Sequence, residues 1–263
     1  MDLNLSSKVF VVTGGAKGIG EAISMLLAEE GAHVAIVGRN MDDNLAVVEK
    51  IAAAGGHAHA FRAELSQADA CESVVGQIVA HFGQIDGLVN NAGANDGVGL
   101  ENGSAEAFLE SLGRNLVHYY LMAHYALPGL KESRGAIVNI TSKTAETGQG
   151  GTSGYAASNG GRNALTREWA VELLPYGIRV NAVAVAECYT PLYERWIKTL
   201  PDPEMALERI NSQIPLGRRM TTPREIACMV AFLLSDKSSH TTGQIIYVDG
   251  GYTHLDRAVQ GII

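Results

Sequence analysis

The sequence contains little cysteine and few aromatic residues. Only 3 cysteines occur among 263 residues, at Cys71, Cys188 and Cys228, and aromatic residues make up 6% of the chain. The cysteines are far apart and odd in number, so they match neither a metal-binding spacing nor a disulfide framework. This usage is typical of the reducing cytoplasm, where we expect the protein to reside, and we expect no metal site.

Long hydrophobic runs and an excess of basic residues are also missing. The longest apolar stretch, Ile226 to Leu234, has about half the length needed to cross a bilayer. The initial segment MDLNLSSKVF lacks the basic flank and apolar stretch of a signal peptide. The formal net charge of −8 argues against nucleic-acid binding, which depends on a basic surface. We therefore expect neither a nucleic-acid partner nor membrane association.

The sequence does contain an alternation of short β-branched runs and longer amphipathic stretches. This pattern is typical of a parallel sheet covered by helices on both faces. It predicts an α/β fold, a single Rossmann-type doubly wound domain of about seven strands over residues 1–263. The predicted strands begin at Lys8, His33, Ala58, Ile85, Gly135, Ile178 and Gln244. The predicted helices cover about Gly18–Glu30, Asp42–Ala54, Gln67–Phe82, Ala105–Lys131 and Ser153–Leu174.

The segment from Pro191 to Arg219 interrupts the alternation. It is rich in proline and bulky residues and follows a strand end, where insertions that cover a ligand usually lie. We therefore expect a substrate-covering segment at about residues 190–219. Its apolar residues near helical spacing either line an apolar pocket or pack in the lid or core; they are Leu192, Trp196, Ile197 and Leu200.

A glycine-rich turn, TGGAKGIG from Thr13, follows the first predicted strand. Glycines allow the backbone to approach a pyrophosphate closely, and the following helix N-terminus offers free N–H groups. The Gly-x3-Gly-x-Gly spacing is a weak signal alone, but its place on the first βα turn strengthens it. The candidate dinucleotide ligands in this turn are Gly14, Lys17, Gly18, Ile19 and Gly20.

The end of the second predicted strand bears on the choice of dinucleotide. An acidic residue there would bind the adenine ribose of NAD, but the sequence has Arg39. Arg39 and Lys17 could bracket a 2′-phosphate, or both could be solvated surface cations. The sequence favours NADP as the cofactor, with NAD possible.

Further motifs follow in order along the chain. They are Asn90-Asn91-Ala92-Gly93 after the fourth strand, Asn115 in a helix, Ser142 after the fifth strand, and Tyr155. Together with the glycine turn, they closely resemble the short-chain dehydrogenase/reductase family from Lys8 to Gly251. Within that family the chain is similar to bacterial L-fucose dehydrogenases, through segments such as NDGVGL from Asn95 and AECYTPLYERWI from Ala186. A related vertebrate branch includes hydroxysteroid dehydrogenases.

The resemblance implies a role for each matching residue. Tyr155 would exchange a proton with an alcohol oxygen, Ser142 would hold that oxygen, and Asn115 would hold a water for proton relay. The resemblance also implies further dinucleotide contacts, from Glu64 and Leu65 at the adenine, Asn91, Ala92 and Gly93 on the ribose side, and Cys188 and Thr190. Asn90 is expected to brace the sheet instead.

One position departs from the family pattern. The family has a lysine four residues after the tyrosine, on the same helix face, where its ammonium holds the nicotinamide ribose and favours the tyrosinate. This chain has Asn159 there. A cation about 5 Å from an anion contributes roughly 3 kcal/mol at an effective dielectric near 20. Asn159 can still bind the ribose at this catalytic position, but it carries no charge.

Three explanations of Asn159 are open. The lysine was replaced by an introduced substitution; the asparagine is natural and another cation, for which Arg162 is the candidate, compensates; or the chain is a nucleotide-binding regulatory or scaffold protein without catalysis. If the missing charge alone limits an enzyme, Asn159→Lys should raise turnover at least about tenfold.

Polar residues near the predicted site favour a sugar as substrate. Glu187 follows the sixth strand and either accepts hydroxyl hydrogens from a polyol or faces water at the rim. Asn95 and Gln149 lie on loops beside the site, whereas strand alternation points Lys143 away from it. We expect NAD(P)-dependent oxidation of a secondary alcohol, the anomeric hydroxyl of L-fucose or a related aldose, with a hydroxysteroid or another small alcohol or ketone as the alternative.

The resemblance also bears on assembly. Family members are commonly homotetramers that pair long helices across two-fold axes, so a homotetramer is expected here. The C-terminal tail, THLDRAVQGII, could reach a neighbouring subunit.

Overall fold

The computed structural model describes residues 2–255, which form a seven-stranded parallel sheet in the order β3-β2-β1-β4-β5-β6-β7. The strands are β1 (Val9–Thr13), β2 (His33–Gly38), β3 (His57–Arg62), β4 (Gly87–Asn90), β5 (Ala136–Ser142), β6 (Arg179–Val185) and β7 (Ile245–Val248). The predicted doubly wound sheet is confirmed. The strand order reverses between β1 and β4, and ligands of such sheets bind at this reversal, beyond the carboxyl ends of the strands. Of the tail predicted to reach a neighbouring subunit, which begins at Thr253, residues 256–263 lie outside the described range.

The helices cover both faces of this sheet. They are α1 (Gly18–Glu29), α2 (Met41–Ala53), α3 (Ala68–Phe82), α4 (Ala105–Leu112), α5 (His118–Ser133), α6 (Ser153–Glu172), α7 (Pro191–Ile197), α8 (Pro203–Ser212) and α9 (Pro223–Leu234). Successive strand residues point to opposite faces, so Phe10 and Val12 join one buried cluster with residues of α1 and α9, while Val11 joins the other with residues of α3 and α5.

The helical region predicted over Ala105–Lys131 is divided. A π-helical turn, Gly113–Val117, separates α4 from α5 and contains the buried Asn115. Such turns widen the helix locally and occur frequently at functional sites. Amphipathic periodicity continues through the turn, so the sequence pattern did not reveal it.

A buried polar chain fixes the helices that carry the candidate site. Asn90 Nδ2 donates to Asn139 Oδ1 at 3.1 Å and to Tyr119 O at 3.3 Å, and Asn139 Nδ2 donates to Thr166 Oγ1 at 2.9 Å. These bonds connect β4 and β5 to α5 and α6 inside the core. The expectation that Asn90 braces the sheet is confirmed.

Candidate active site

The glycine turn after β1 forms a cradle that a side chain would fill. A Cβ on Gly20 would lie 2.1 Å from the carbonyl oxygen of Gly14, and Gly14 has a φ of +63° that favours glycine. Helix α1 begins after Lys17 without a side-chain cap, which leaves its first N–H groups free to bind an anion. These features fit the pyrophosphate of a dinucleotide; Ile19 lies half-buried in the same turn.

The loop after β4 is attached to the glycine turn. Asn91 Nδ2 donates to Thr13 O at 2.9 Å and to Gly14 O at 3.2 Å, and Ala92 N donates to Thr13 Oγ1 at 3.1 Å. The structure therefore brings the predicted ligands Gly14, Asn91 and Ala92 together at the strand-order reversal. Their contacts with a dinucleotide stay a prediction.

The segment after β6 closes over the opposite side of the turn. A Cβ on Gly18 would lie 3.2 Å from the Thr190 side chain, and Thr190 Oγ1 caps α7 by accepting from Tyr193 N at 3.3 Å. Cys188 is buried nearby, and burial raises the pKa of its thiol to about 12. A neutral thiol of this kind contributes shape rather than reactivity.

The cations predicted to select the dinucleotide both have carboxylate partners. Lys17 Nζ lies 2.5 Å from Asp43 Oδ2, and Arg39 Nη1 lies 3.5 Å from Glu64 Oε2. Burial raises the pKa of Glu64, but hydrogen bonds from Ser66 and the Arg39 charge outweigh it and hold that pKa below its ordinary value. Sequence reasoning missed both pairs. The next residue, Leu65, is buried.

The residues predicted to act on the alcohol come from three elements. Ser142 ends β5, Tyr155 lies half-buried in the first turn of α6, and Asn115 lies in the π turn. Asn115 Oδ1 accepts from Ala94 N at 2.9 Å, and its Nδ2 donates to Asp96 Oδ2 at 3.4 Å. The Asn115 side chain therefore fixes the loop that follows β4.

Asn159 and Arg162 form a buried network behind Tyr155. Asn159 is fully buried; its Nδ2 donates to Tyr155 O at 2.8 Å and its Oδ1 accepts from Arg162 Nη1 at 3.0 Å. Arg162 Nε donates to Asn115 O at 2.6 Å and Nη1 to Ile140 O at 3.2 Å. Arg162 thus joins α6 to the π turn and to β5. The predicted contact of Asn159 with a cofactor stays a prediction, because both of its amide atoms already have partners here.

A second buried charged group lies at the ends of β5 and β6. Lys143 Nζ contacts Glu187 Oε1, with only 10% and 14% of the two side chains exposed, and it lies 4.0 Å from the centroid of the Tyr252 ring. Burial and the Glu187 carboxylate raise the pKa of Tyr193 above its ordinary range. The expectation that Lys143 points away is wrong, because β5 ends at Ser142 and Lys143 begins a 3-10 turn.

The remaining predicted polar residues, Asn95 and Gln149, lie on exposed loops that follow β4 and β5. These loops adjoin each other: Gly154 N donates to Val98 O at 3.1 Å. Asn95 Oδ1 accepts from its own loop, from Gly97 N at 3.2 Å. Both residues therefore flank the site rather than line its buried part, and their contact with a substrate stays a prediction.

Neither a metal cluster nor a membrane span is found in residues 2–255. No group of three or more histidine, cysteine, aspartate or glutamate side chains there could hold a metal ion. Within the same range, no helix has the length and apolar character required to cross a bilayer.

Comparison with known proteins gives consistent matches along the chain. A family model described as enoyl-(acyl carrier protein) reductase matches residues 14–253. A 3-oxoacyl-[acyl-carrier-protein] reductase of Thermotoga maritima is 38% identical and covers 95% of this chain and 99% of its own; an L-fucose dehydrogenase of Oryctolagus cuniculus is 34% identical and covers 94% and 85%. The crystal structure titled Cj0485 dehydrogenase is 44% identical, with a TM-score of 0.93 and 98% of each chain covered.

Proposed function

The chain belongs to the short-chain dehydrogenase/reductase family, and we propose that it oxidises the anomeric hydroxyl of L-fucose or a related aldose with a nicotinamide dinucleotide. As a member of this family it is an oxidoreductase acting on alcohol or keto groups. The observation that carries the substrate proposal is the buried pair of Glu187 with Lys143, the residue that follows Ser142 in the chain. A charged, hydrogen-bonding wall suits a polyol, whereas a steroid would need a largely apolar one.

The chain's own residues provide the proton chemistry. When bound, the nicotinamide accepts the hydride that leaves the alcohol carbon. Ser142 donates its hydroxyl hydrogen to the substrate oxygen, and Tyr155 as tyrosinate accepts the proton released from that oxygen as the carbonyl forms. The similarity to an L-fucose dehydrogenase supports the same substrate class, since that relative covers most of this chain.

The dinucleotide would occupy the cleft between the glycine turn and Thr190. The first N–H groups of α1 bind the pyrophosphate, and the Asn91–Gly93 loop borders the ribose. We favour NADP because Arg39 follows β2 and Lys17 lies in the glycine turn, from where the two cations could bracket a 2′-phosphate. The exposed Arg39–Glu64 pair is weak, so a 2′-phosphate displaces Glu64 at little cost.

Assembly into a homotetramer and a cytoplasmic location complete the proposal. Large apolar side chains are exposed on the helical faces around the π turn and on α6, namely Leu109, Val117, Tyr120 and Val171. A second copy of the chain would cover these side chains, because apolar area of this kind is favourably buried at subunit interfaces. The free cysteines fit a reducing compartment.

The test combines binding with turnover. Calorimetric titration with NADP and NAD should show binding, tighter for NADP. Absorbance of the reduced nicotinamide should then rise with L-fucose or another aldose, and Tyr155→Phe and Ser142→Ala should each lose at least about a hundredfold in turnover. Dinucleotide binding without turnover of any aldose, hydroxysteroid or small alcohol would favour a regulatory or scaffold role. Turnover confined to a steroid or a 3-oxoacyl thioester would reject the sugar assignment.

A further inference from the structure

We propose that Arg162 supplies the positive charge beside Tyr155 that Asn159 does not carry. This inference rests on the proposed dehydrogenase function, in which Tyr155 must exist as an anion during each turnover. Arg162 acts through Tyr155 and is a positioning residue, and Asn159 in turn holds Arg162 in place. Asn159 and Arg162 together take the place of the lysine that the family has at position 159. The neutral asparagine occupies that position, and the cation lies three residues further along α6.

Helix geometry places the three side chains on one face. Residues 155, 159 and 162 are separated by steps of four and three, which align on an α-helix. The Arg162 guanidinium carbon lies 5.9 Å from the centroid of the Tyr155 ring, and Nη1 donates to Asn159 Oδ1 at 3.0 Å. The guanidinium is therefore close enough to act on a tyrosinate through a poorly solvated interior.

Arg162 is a buried cation without an ion-pair partner among residues 2–255. Arg162 is only 3% exposed, and the ion pairs found within residues 2–255 do not include it. An isolated buried charge is costly to a fold unless a counter-charge forms nearby. The tyrosinate of Tyr155 would supply that counter-charge. Its attraction to the guanidinium offsets the unfavourable free energy of burying Arg162 when Tyr155 is ionised.

One guanidinium nitrogen is unused and is directed at the site. Nη2 is buried and has no hydrogen-bond partner among the described residues. A Cβ on Gly93 would lie 2.8 Å from Nη2 and 2.9 Å from Asn115 Oδ1. Both groups therefore point at the loop after β4, which in the proposed function borders the ribose. Nε meanwhile holds Asn115 O at 2.6 Å. The resemblance assigned a water-relay role to this asparagine, and here Arg162 itself contacts its main chain.

His118 and Tyr119, which interact with the Arg162 guanidinium, are neutral near pH 7. His118 on α5 faces the guanidinium, and burial together with the Arg162 charge lowers the pKa of His118 to about 3. Tyr119 lies under the guanidinium at 4.2 Å, and burial raises its pKa above the ordinary range. Asp96 accepts a hydrogen bond from Asn115 Nδ2 at 3.4 Å and pairs with Arg114 at 3.4 Å. Tyr155 is thus the group around Arg162 whose proton is removed in the proposed reaction.

This arrangement changes the expectation for Asn159→Lys. A lysine at 159 would bring a second cation against the buried guanidinium, and the two charges would repel. We expect Asn159→Lys alone to lower turnover, and the double variant Asn159→Lys/Arg162→Leu to restore it to within about threefold of the native chain, because a single cation is again present.

The test compares Arg162→Leu, Arg162→Gln, the double variant and Arg167→Leu, an exposed control on the same helix. Arg162→Leu should lower turnover at pH 7 about 10- to 100-fold and move the acidic limb of the pH–rate profile up by about one to two pH units. Arg162→Gln removes the charge but keeps polar contacts to the neighbouring carbonyls, so it should show the same changes in turnover and pH profile. It replaces Arg162→Leu in the comparison if the leucine variant folds poorly. Arg167→Leu should change neither quantity.

A second readout needs neither substrate nor dinucleotide. Tyrosinate absorbance is titrated in each protein, and the matching Tyr155→Phe variant is subtracted to isolate Tyr155. The midpoint should lie about one to two pH units higher in Arg162→Leu and Arg162→Gln, and should return in the double variant. Unchanged midpoints and pH profiles in both neutral variants would overturn the inference. If the native chain oxidises no alcohol while these midpoints still move, the proposed function fails and the role of Arg162 stands.

Discussion

The Lys143–Glu187 pair gives the sharpest quantitative prediction. At separations near 4 Å and an effective dielectric near 20, two unit charges attract by about 4 kcal/mol. Because the side chains are only 10% and 14% exposed, solvent screens this attraction little. Removing one partner leaves a buried charge and should lower the free energy of unfolding by about 3–5 kcal/mol, whereas removing both should cost less than the sum of the single changes.

A double-mutant cycle measures this coupling. Urea unfolding of the native chain, Lys143→Met, Glu187→Gln and the double variant should give an interaction energy of about 2–4 kcal/mol. Lys8→Met breaks the exposed pair with Asp236 and serves as the control, with an expected loss below about 1 kcal/mol. Single changes that add within about 0.5 kcal/mol would refute the buried-pair argument.

The same variants test whether the Lys143–Glu187 pair lines the proposed substrate site. The double variant should retain its affinity for the dinucleotide, whose proposed site lies at the glycine turn, but lose at least about tenfold in kcat/KM for the aldose, since hydrogen bonds to charged groups each contribute about 1.5–3 kcal/mol. An unchanged kcat/KM in a folded double variant would remove the pair from the substrate site.

Two further predictions concern the cofactor cradle and acid stability. Gly20→Ala places a methyl group 2.1 Å from Gly14 O and should weaken dinucleotide binding at least about tenfold by calorimetry, whereas Gly76→Ala, where nothing lies within 4 Å, should not. His118 has its pKa lowered to about 3 by burial, so the unfolded chain binds its proton first as pH falls below 6.5. The free energy of unfolding should therefore decrease by up to about 1.4 kcal/mol per pH unit between pH 6.5 and 3, and His118→Phe should reduce that slope in pH-dependent urea unfolding; equal slopes would contradict the assignment.

The fold could be predicted from the sequence because its signals are local. Runs such as VFVV in β1 and VAIV in β2 are apolar and rich in β-branched residues, and their alternation with amphipathic helices leaves few topologies. The positions of Ser142, Tyr155 and Asn115 followed from ordered motifs. The π turn could not be predicted, because a single inserted residue hardly disturbs helical periodicity.

The side-chain partners within the site depend on contacts distant in sequence. The direction of Lys143 was mistaken because alternation holds only inside a strand, and β5 ends one residue earlier. The pairing of Lys17 with Asp43 and of Arg39 with Glu64 arises from tertiary packing between the glycine turn, α2 and the ends of β2 and β3. Arg162 could be named as a candidate from helical spacing, but its bond to Asn115 O requires the π turn to be in place.

The central claim is that this chain transfers hydride from the anomeric carbon of an aldose. The most direct measurement uses L-fucose carrying deuterium at that carbon, with NADP, and analyses the reduced nicotinamide by mass spectrometry. The account predicts one deuterium atom in each reduced nicotinamide, formed at least about a hundredfold more slowly by Tyr155→Phe. Reduced nicotinamide without deuterium, or no reduction with any aldose, would contradict it.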